Sequence, residues 1–159
     1  MTRLSTIVPL DQLQSFIVRA KAATYVGSGN KSLSHRPGSH DLEFHEGDFA
    51  YLDSYFGGAD FIGQEVVYLE NQPVWAMNYY GRILVPEKIT GAETGQVIKK
   101  SLSILYRQGR FLGGFEHVDG RDAYFDTNEG EPASFSGKEW IERDGVHVYE
   151  LVYHGGLIR

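Results

Sequence analysis

The chain contains no cysteine, which removes disulfide scaffolds, thiol nucleophiles and cysteine-ligated zinc together. It has little clustered positive charge. Lys99-Lys100 is the densest basic run and the net charge is −6, so duplex nucleic acid and anionic membranes meet overall repulsion. No apolar run is long enough to span a bilayer, and the start, MTRLSTIVPLDQ, lacks the apolar core of a secretion signal. These absences predict a cytoplasmic protein with no membrane partner and no direct nucleic-acid partner. A phosphate loop is missing too, because Gly27-Ser28-Gly29 has neither the Gly-Lys-Ser/Thr ending nor a helix directly after it. His117 and His154 have no Ser or Asp arrangement around them that would mark a triad. His35, His40, Asp41, Glu43, His45 and Glu46 are metal-ligating types without a recognised ligand spacing, so neither a metal nor a cofactor is expected.

What the chain does have is glycine, tyrosine and a repeat. Its 159 residues suit one domain, and the many Gly and Tyr residues point to strands and tight turns. The stretch Phe61–Leu84, FIGQEVVYLENQPVWAMNYYGRIL, aligns without a gap on Phe135–Ile158, FSGKEWIERDGVHVYELVYHGGLI. Phe61, Gly63, Glu65, Val74, Tyr79 and Gly81 fall on Phe135, Gly137, Glu139, Val148, Tyr153 and Gly155. Upstream, Asp53 echoes Asp126. Clustering of the identities on alternate residues points to duplication, with an internal repeat of about 9–84 and about 91–158 inside a single domain, 1–159.

Pro9–Ala23 reads as a first helix and Glu93–Arg107 as a second. Tyr25-Val26-Gly27 begins a short strand. Leu42–His45, Phe49–Tyr55, Phe61–Leu69 and Val74–Leu84 read as antiparallel strands, as do Phe111–Phe115, Ala123–Asp126, Phe135–Glu142 and Val146–His154. Asp144-Gly145 is a strong hairpin turn. The predicted fold class is α+β: duplicated helix-plus-antiparallel-strand halves forming a two-layer sandwich with pseudo-twofold symmetry.

With Asn71-Gln72 as the turn of the first long hairpin, Glu65 lies opposite Asn78 and Gly63 opposite Tyr80. Strand alternation then separates two faces. One, with Ile62, Val66, Tyr68, Trp75, Met77 and Tyr79, is expected under the helices. The other carries Tyr51, Asp53, Glu65, Asn78, Tyr80 and Arg82, a polar and aromatic set suited to a small molecule. Its counterpart in the second half holds Tyr124, Asp126, Glu139 and His154. Gly63 and Gly137 are positions that can permit a bulge or receive a cross-strand aromatic. Asp53 with Glu65, or Asp126 with Glu139, has the chemistry of an acid/base pair, against the plainer reading of solvated or backbone-bonded carboxylates. Glu65 with Arg82 is either a recognition pair or an ordinary cross-strand ion pair. The Gly-, Ser- and Pro-rich segment 27–40 is a candidate lid.

The segments YVGSGNKSLSHRPGSHDLEFHEGDFAYLDSYFGGADFIGQE and PVWAMNYYGRIL resemble a bacterial family of unknown function. Its members occur free-standing or behind helix-turn-helix modules of predicted transcriptional regulators. The resemblance implies a domain that serves as the sensing half of a regulator, and it brings no catalytic residues. The leading expectation is a non-enzymatic small-molecule-binding or regulatory domain using the exposed sheet face. The alternatives are a hydrolase acting through Asp53 and Glu65, and a homodimerisation module. One carboxylate with a strongly raised pKa in a closed pocket would favour the enzyme.

Overall fold

The computed structural model describes residues 8–26 and 31–159. The start of the chain, read above for a secretion signal, and the Gly27-Ser28-Gly29 sequence lie outside the described residues. In chain order the elements are α1 (Leu10–Lys21), a π-helical turn (Ala22–Val26), β1 (Lys31–Ser32), β2 (His40–Glu46), β3 (Phe49–Gly57), β4 (Phe61–Leu69) and β5 (Gln72–Ile83). They continue with α2 (Gly91–Arg107), β6 (Phe115–Asp119), β7 (Asp122–Glu131), β8 (Ser134–Arg143) and β9 (Val146–Leu157).

Local chemistry accounts for both helices. Pro9 occupies the N-cap of α1 in an extended conformation, and Leu13, Phe16, Ile17 and Ala20 recur at helical spacing to form one buried stripe. Leu10, expected on that stripe, is exposed, and Phe16 fills the core instead. No strand starts at Tyr25. The helix widens into a π turn there, with the Thr24 hydroxyl donating to the Ala20 carbonyl at 2.7 Å. A π turn adds a residue to the helical repeat and re-aims the side chains that follow it. Helix α2 begins with a capping box in which Thr90 and Glu93 satisfy each other's backbone N–H groups. Glu93 also pairs with the buried Arg143, which donates to Asp122 and to the Lys88 carbonyl and so ties the start of α2 to β7 and β8.

The expected two-layer sandwich of duplicated halves is overturned. The strands form one nine-stranded antiparallel sheet in the order β1-β2-β3-β4-β5-β9-β8-β7-β6, closed at its centre by pairing of Trp75–Ile83 with Tyr149–Leu157. Nine strands at about 4.8 Å spacing span about 38 Å, whereas two helices of about 10 Å diameter cover about 20 Å. The helices therefore cannot make a second layer across this sheet. Helix α1 packs on β2 and β3, and α2 on β6 and β7. The inner face of the four central strands is filled instead by aromatic side chains, with Trp75 stacked on Phe135 and Phe61 stacked on Tyr149. The two halves also differ, since β1 and the π turn occur only in the first.

The register of the β4–β5 hairpin differs from expectation by one residue. Its turn residues are Glu70 and Asn71, both in the left-handed region with φ of 49° and 62°, so Leu69 pairs with Gln72. A bulge between Val67 and Tyr68 then leaves Val74 outside the pairing and sets Glu65 opposite Met77 and Gly63 opposite Tyr79. Because side chains alternate with period two, a one-residue slip sends every side chain of β5 to the other face relative to β4. Trp75, Met77 and Tyr79 are thereby joined on the inner face by Tyr51, Asp53 and Glu65, while Asn78, Tyr80 and Arg82 point outward. The second hairpin follows the same pattern: Asp144-Gly145 forms the turn, and a bulge at Ile141/Glu142 sets Glu139 opposite Leu151.

Candidate functional site

The six residues singled out from the sequence are divided between two faces. Tyr51, Asp53 and Glu65 lie on the inner face at a cavity enclosed by the two helices, the π turn and the central strands. The cavity has a volume of about 70 Å³, enough to admit water. Asn78, Tyr80 and Arg82 are exposed on the outer face. There Arg82 pairs with Glu150 at 3.1 Å and not with Glu65, while Asn78 accepts from Gln64 at 2.8 Å. Tyr80 stands in an exposed apolar row with Ile62 and Val152, which flank it in the sheet register. His154 is on the outer face as well, whereas Asp126 and Glu139 reach the cavity.

Asp53 pairs directly with Glu65 in the β3–β4 register, and Asp126 with Glu139 in the β7–β8 register. All four carboxylates are buried, each at most 6% exposed. Burying a carboxylate is costly unless hydrogen bonds or a cation compensate. Here most of the compensation is phenolic. Tyr79 donates to Asp53 at 2.6 Å and Tyr153 to Asp126 at 2.6 Å. Tyr51 donates to Glu65 and Tyr124 to Glu139, with Tyr149 reaching Glu139 at 3.3 Å. Gly63 and Gly137 make this geometry possible. The rings of Tyr79 and Tyr153 lie over them, where a Cβ would collide with the phenol atoms.

One buried cation serves the cluster. Lys21, at the last turn of α1, donates to both oxygens of Glu65 at 2.8 and 3.0 Å, and its ammonium lies 5.4 Å from the centre of the Phe111 ring. Among the described residues, Lys21 is the only basic side chain lining the cavity. Asp53 is consequently pushed up to about 8, first by burial and then by Glu65 beside it. Glu139 is pushed up to about 7 by burial and by Asp126, and Asp126 to about 6 by burial. The Tyr25 phenol, delivered by the π turn, is raised by burial first and then by Glu139, Asp53 and Glu65, so it senses both carboxylate pairs. Apolar and aromatic groups, among them Phe61, Tyr106, Phe111 and Leu102, form the remaining wall.

Lys21, Tyr25, Met77 and Tyr79 escaped the sequence reading of the site. Met77 and Tyr79 carry the signal of strand alternation and were assigned to the opposite face by the register slip. Lys21 and Tyr25 carry no local signal, because their partners are distant in sequence. The described part of the candidate lid does not cover the cavity. His35 N–H donates to Asp41 at 2.9 Å, Arg36 donates to Ser54 at 3.1 Å, and the Arg36 guanidinium sits 4.8 Å from the Phe56 ring, all on the outer side of β2 and β3. No group of His, Asp and Glu arranged to hold a metal ion occurs among the described residues, and no helix among them is long and apolar enough to cross a membrane.

A family model described as "Domain of unknown function (DUF5680)" matches residues 53–158. The match begins at Asp53 and takes in both carboxylate pairs, and it begins after Lys21, Tyr25 and Tyr51. No curated protein and no solved structure matches the chain.

Proposed function

We propose that this chain, which belongs to the DUF5680 family of domains of unknown function, is a small-molecule-binding domain whose ligand occupies the inner cavity. The observation that carries this reading is the burial of four carboxylates around one cavity with a single ammonium among them. Such a cluster is a costly way to hold a fold together. Hydrophobic residues of similar size would be neutral or stabilising in its place, and groups with strongly perturbed ionisation in a cleft mark functional sites more often than structural ones. Binding without turnover is what a sensing domain requires. The decisive experiment is a ligand-observed NMR screen of chemically mixed fragments against the protein and against Leu102→Trp, which fills the cavity. Fragments that bind the first and not the second support the reading. Absence of any fragment displaced by Leu102→Trp refutes it.

A hydrolase is the second reading, favoured by the elevated Asp53 beside the ion-paired Glu65. The roles of acid and base are poorly separated here, however. Asp126 and Glu139 are raised as well as Asp53, and Glu65 already accepts from Lys21 twice and from Tyr51, which occupies about three of its four acceptor positions. Turnover of ester, amide or glycoside substrates that disappears in both Asp53→Asn and Glu65→Gln would replace the binding reading with this one.

A further inference from the structure

We infer that the cavity takes a small organic cation, a primary or quaternary ammonium, with its charge beside Asp126 and Glu139. The inference rests on the small-molecule-binding reading and specifies its ligand class.

The two carboxylate pairs are built alike but neutralised unequally. Glu65 has Lys21, an ammonium gripped by both carboxylate oxygens and lying against the Phe111 ring. Glu139 and Asp126 have only tyrosine hydroxyls, and no Lys or Arg side chain among the described residues bonds to either. Arg110, the other cation acting on Asp126, is turned away and donates to the Leu112 and Gly114 carbonyls at 2.8 and 2.9 Å. Lys21 therefore shows, inside the same cavity, how an ammonium is accommodated: a carboxylate on one side and an aromatic face on the other. The second pair offers carboxylates in the same cavity without the ammonium.

Unused hydrogen-bonding capacity points to the same place. Among the described residues, Oδ2 of Asp53 and Oδ2 of Asp126 accept no hydrogen bond, each carboxylate being engaged only through Oδ1. The hydroxyl of Tyr106, a residue 8% exposed on the cavity wall, has no hydrogen-bond partner among them either. None of these atoms is both buried and unpaired, so water reaches them, and a ligand that donates would take the place of that water. Phe61, Tyr106 and Phe111 on the cavity wall supply π faces that attract cations. An anionic ligand would be repelled by the ionised forms of Asp126 and Glu139, raised only to about 6 and about 7, and a neutral one would leave that charge unneutralised. Bound charge also favours the ionised forms of Glu139 and Asp126, so ligand uptake is expected to release protons near neutral pH.

The test is isothermal titration of the full chain at pH 7 with putrescine, choline, 1-pentanol and pentanoate, repeated with Glu139→Gln and Asp126→Asn. These are neutral, near-isosteric changes whose folding circular dichroism checks. Binding of an ammonium probe at least about tenfold tighter than pentanol or pentanoate, with a heat that varies with the buffer's ionisation enthalpy and an affinity lost about tenfold in both variants, is the expected result. Equal or tighter binding of pentanol or pentanoate overturns the cation and leaves the cavity a binding site. Ammonium binding undiminished in both variants places the cation elsewhere and also overturns the inference. If none of the probes binds, the cation falls, and the fragment screen against Leu102→Trp decides separately whether the cavity binds anything.

Discussion

Replacing Asp53 with asparagine should make the protein more stable at alkaline pH, although it removes a buried, hydrogen-bonded residue. The groups acting on Asp53 are Glu65 on β4, Tyr79 on β5, Lys21 on α1, Tyr25 on the π turn, Tyr51 and Tyr55 on β3 and, from the outer side of β2, Asp41. Burial and Glu65 raise its carboxyl from 3.8 to about 8, against the opposing pull of Tyr79 and Lys21. A carboxyl with a folded value above its unfolded one stabilises the fold fully below the unfolded value, and that contribution is lost as pH rises through the folded value. The loss therefore runs from about pH 4 to about pH 8. At about 1.36 kcal/mol per pH unit the interval sets an upper limit of about 6 kcal/mol. Glu65 shares the repulsion, so about 2–4 kcal/mol is the working figure. Asparagine resembles the protonated acid and keeps an oxygen for the Tyr79 hydroxyl, now 2.6 Å from Oδ1. Urea unfolding followed by tryptophan fluorescence at pH 5, 7 and 9 should show near-equal stabilities at pH 5 and Asp53→Asn ahead by about 2–4 kcal/mol at pH 9. A gap that is the same at pH 5 and pH 9, or a variant less stable than wild type at pH 9, would refute the reasoning.

Lys21→Met strands the Glu65 carboxylate, held at 2.8 Å by the ammonium, and should cost about 3–5 kcal/mol at pH 7. Most of that loss should return in Lys21→Met/Glu65→Gln, as measured by a double-mutant cycle in urea. Gly63→Ala drives a methyl into the Tyr79 phenol and should cost about 1–3 kcal/mol, and Gly63→Ala/Tyr79→Phe should not recover it, because the ring itself is in the way. Thr90→Ala removes the hydroxyl that accepts from Glu93 N–H at 3.1 Å and should lower stability by about 1 kcal/mol, read as a shift in melting temperature.

Asp53 and Glu65 illustrate how the site became partly legible. Both sit in strands whose alternation is strong, and the sequence reading placed them, with Tyr51, on one face. That grouping survives, because β3 and β4 pair as Asp53 with Glu65 and Tyr51 with Val67. Asn78, Tyr80 and Arg82 were grouped with them through a single assumption about the turn. Strand β5 presents its faces as expected, and it is Tyr51, Asp53 and Glu65 that lie inward at the cavity instead of on the exposed face.

Most element positions were decided by the sequence itself, because their causes are local. The strands read at Tyr25 and over Phe111–Phe115 are exceptions, the first lying in a π turn and the second giving way to β6 at Phe115–Asp119. Phe61–Leu69 alternates and is bounded by turn residues, Asp144-Gly145 tolerates positive φ, and Thr90 with Glu93 forms a capping box. The cavity was decided only by tertiary structure. Which residues of Leu69–Pro73 turn depends on small differences between neighbouring left-handed conformations, and a bulge of one residue then chooses the face. Pairing of β5 with β9 across a long separation made one sheet where two layers were expected. The ion pair of Lys21 with Glu65 spans 44 residues, a contact that no period or turn signal encodes. Local propensity acts over a few residues. The placement of charge around this cavity is set by contacts that exist only once the chain has folded.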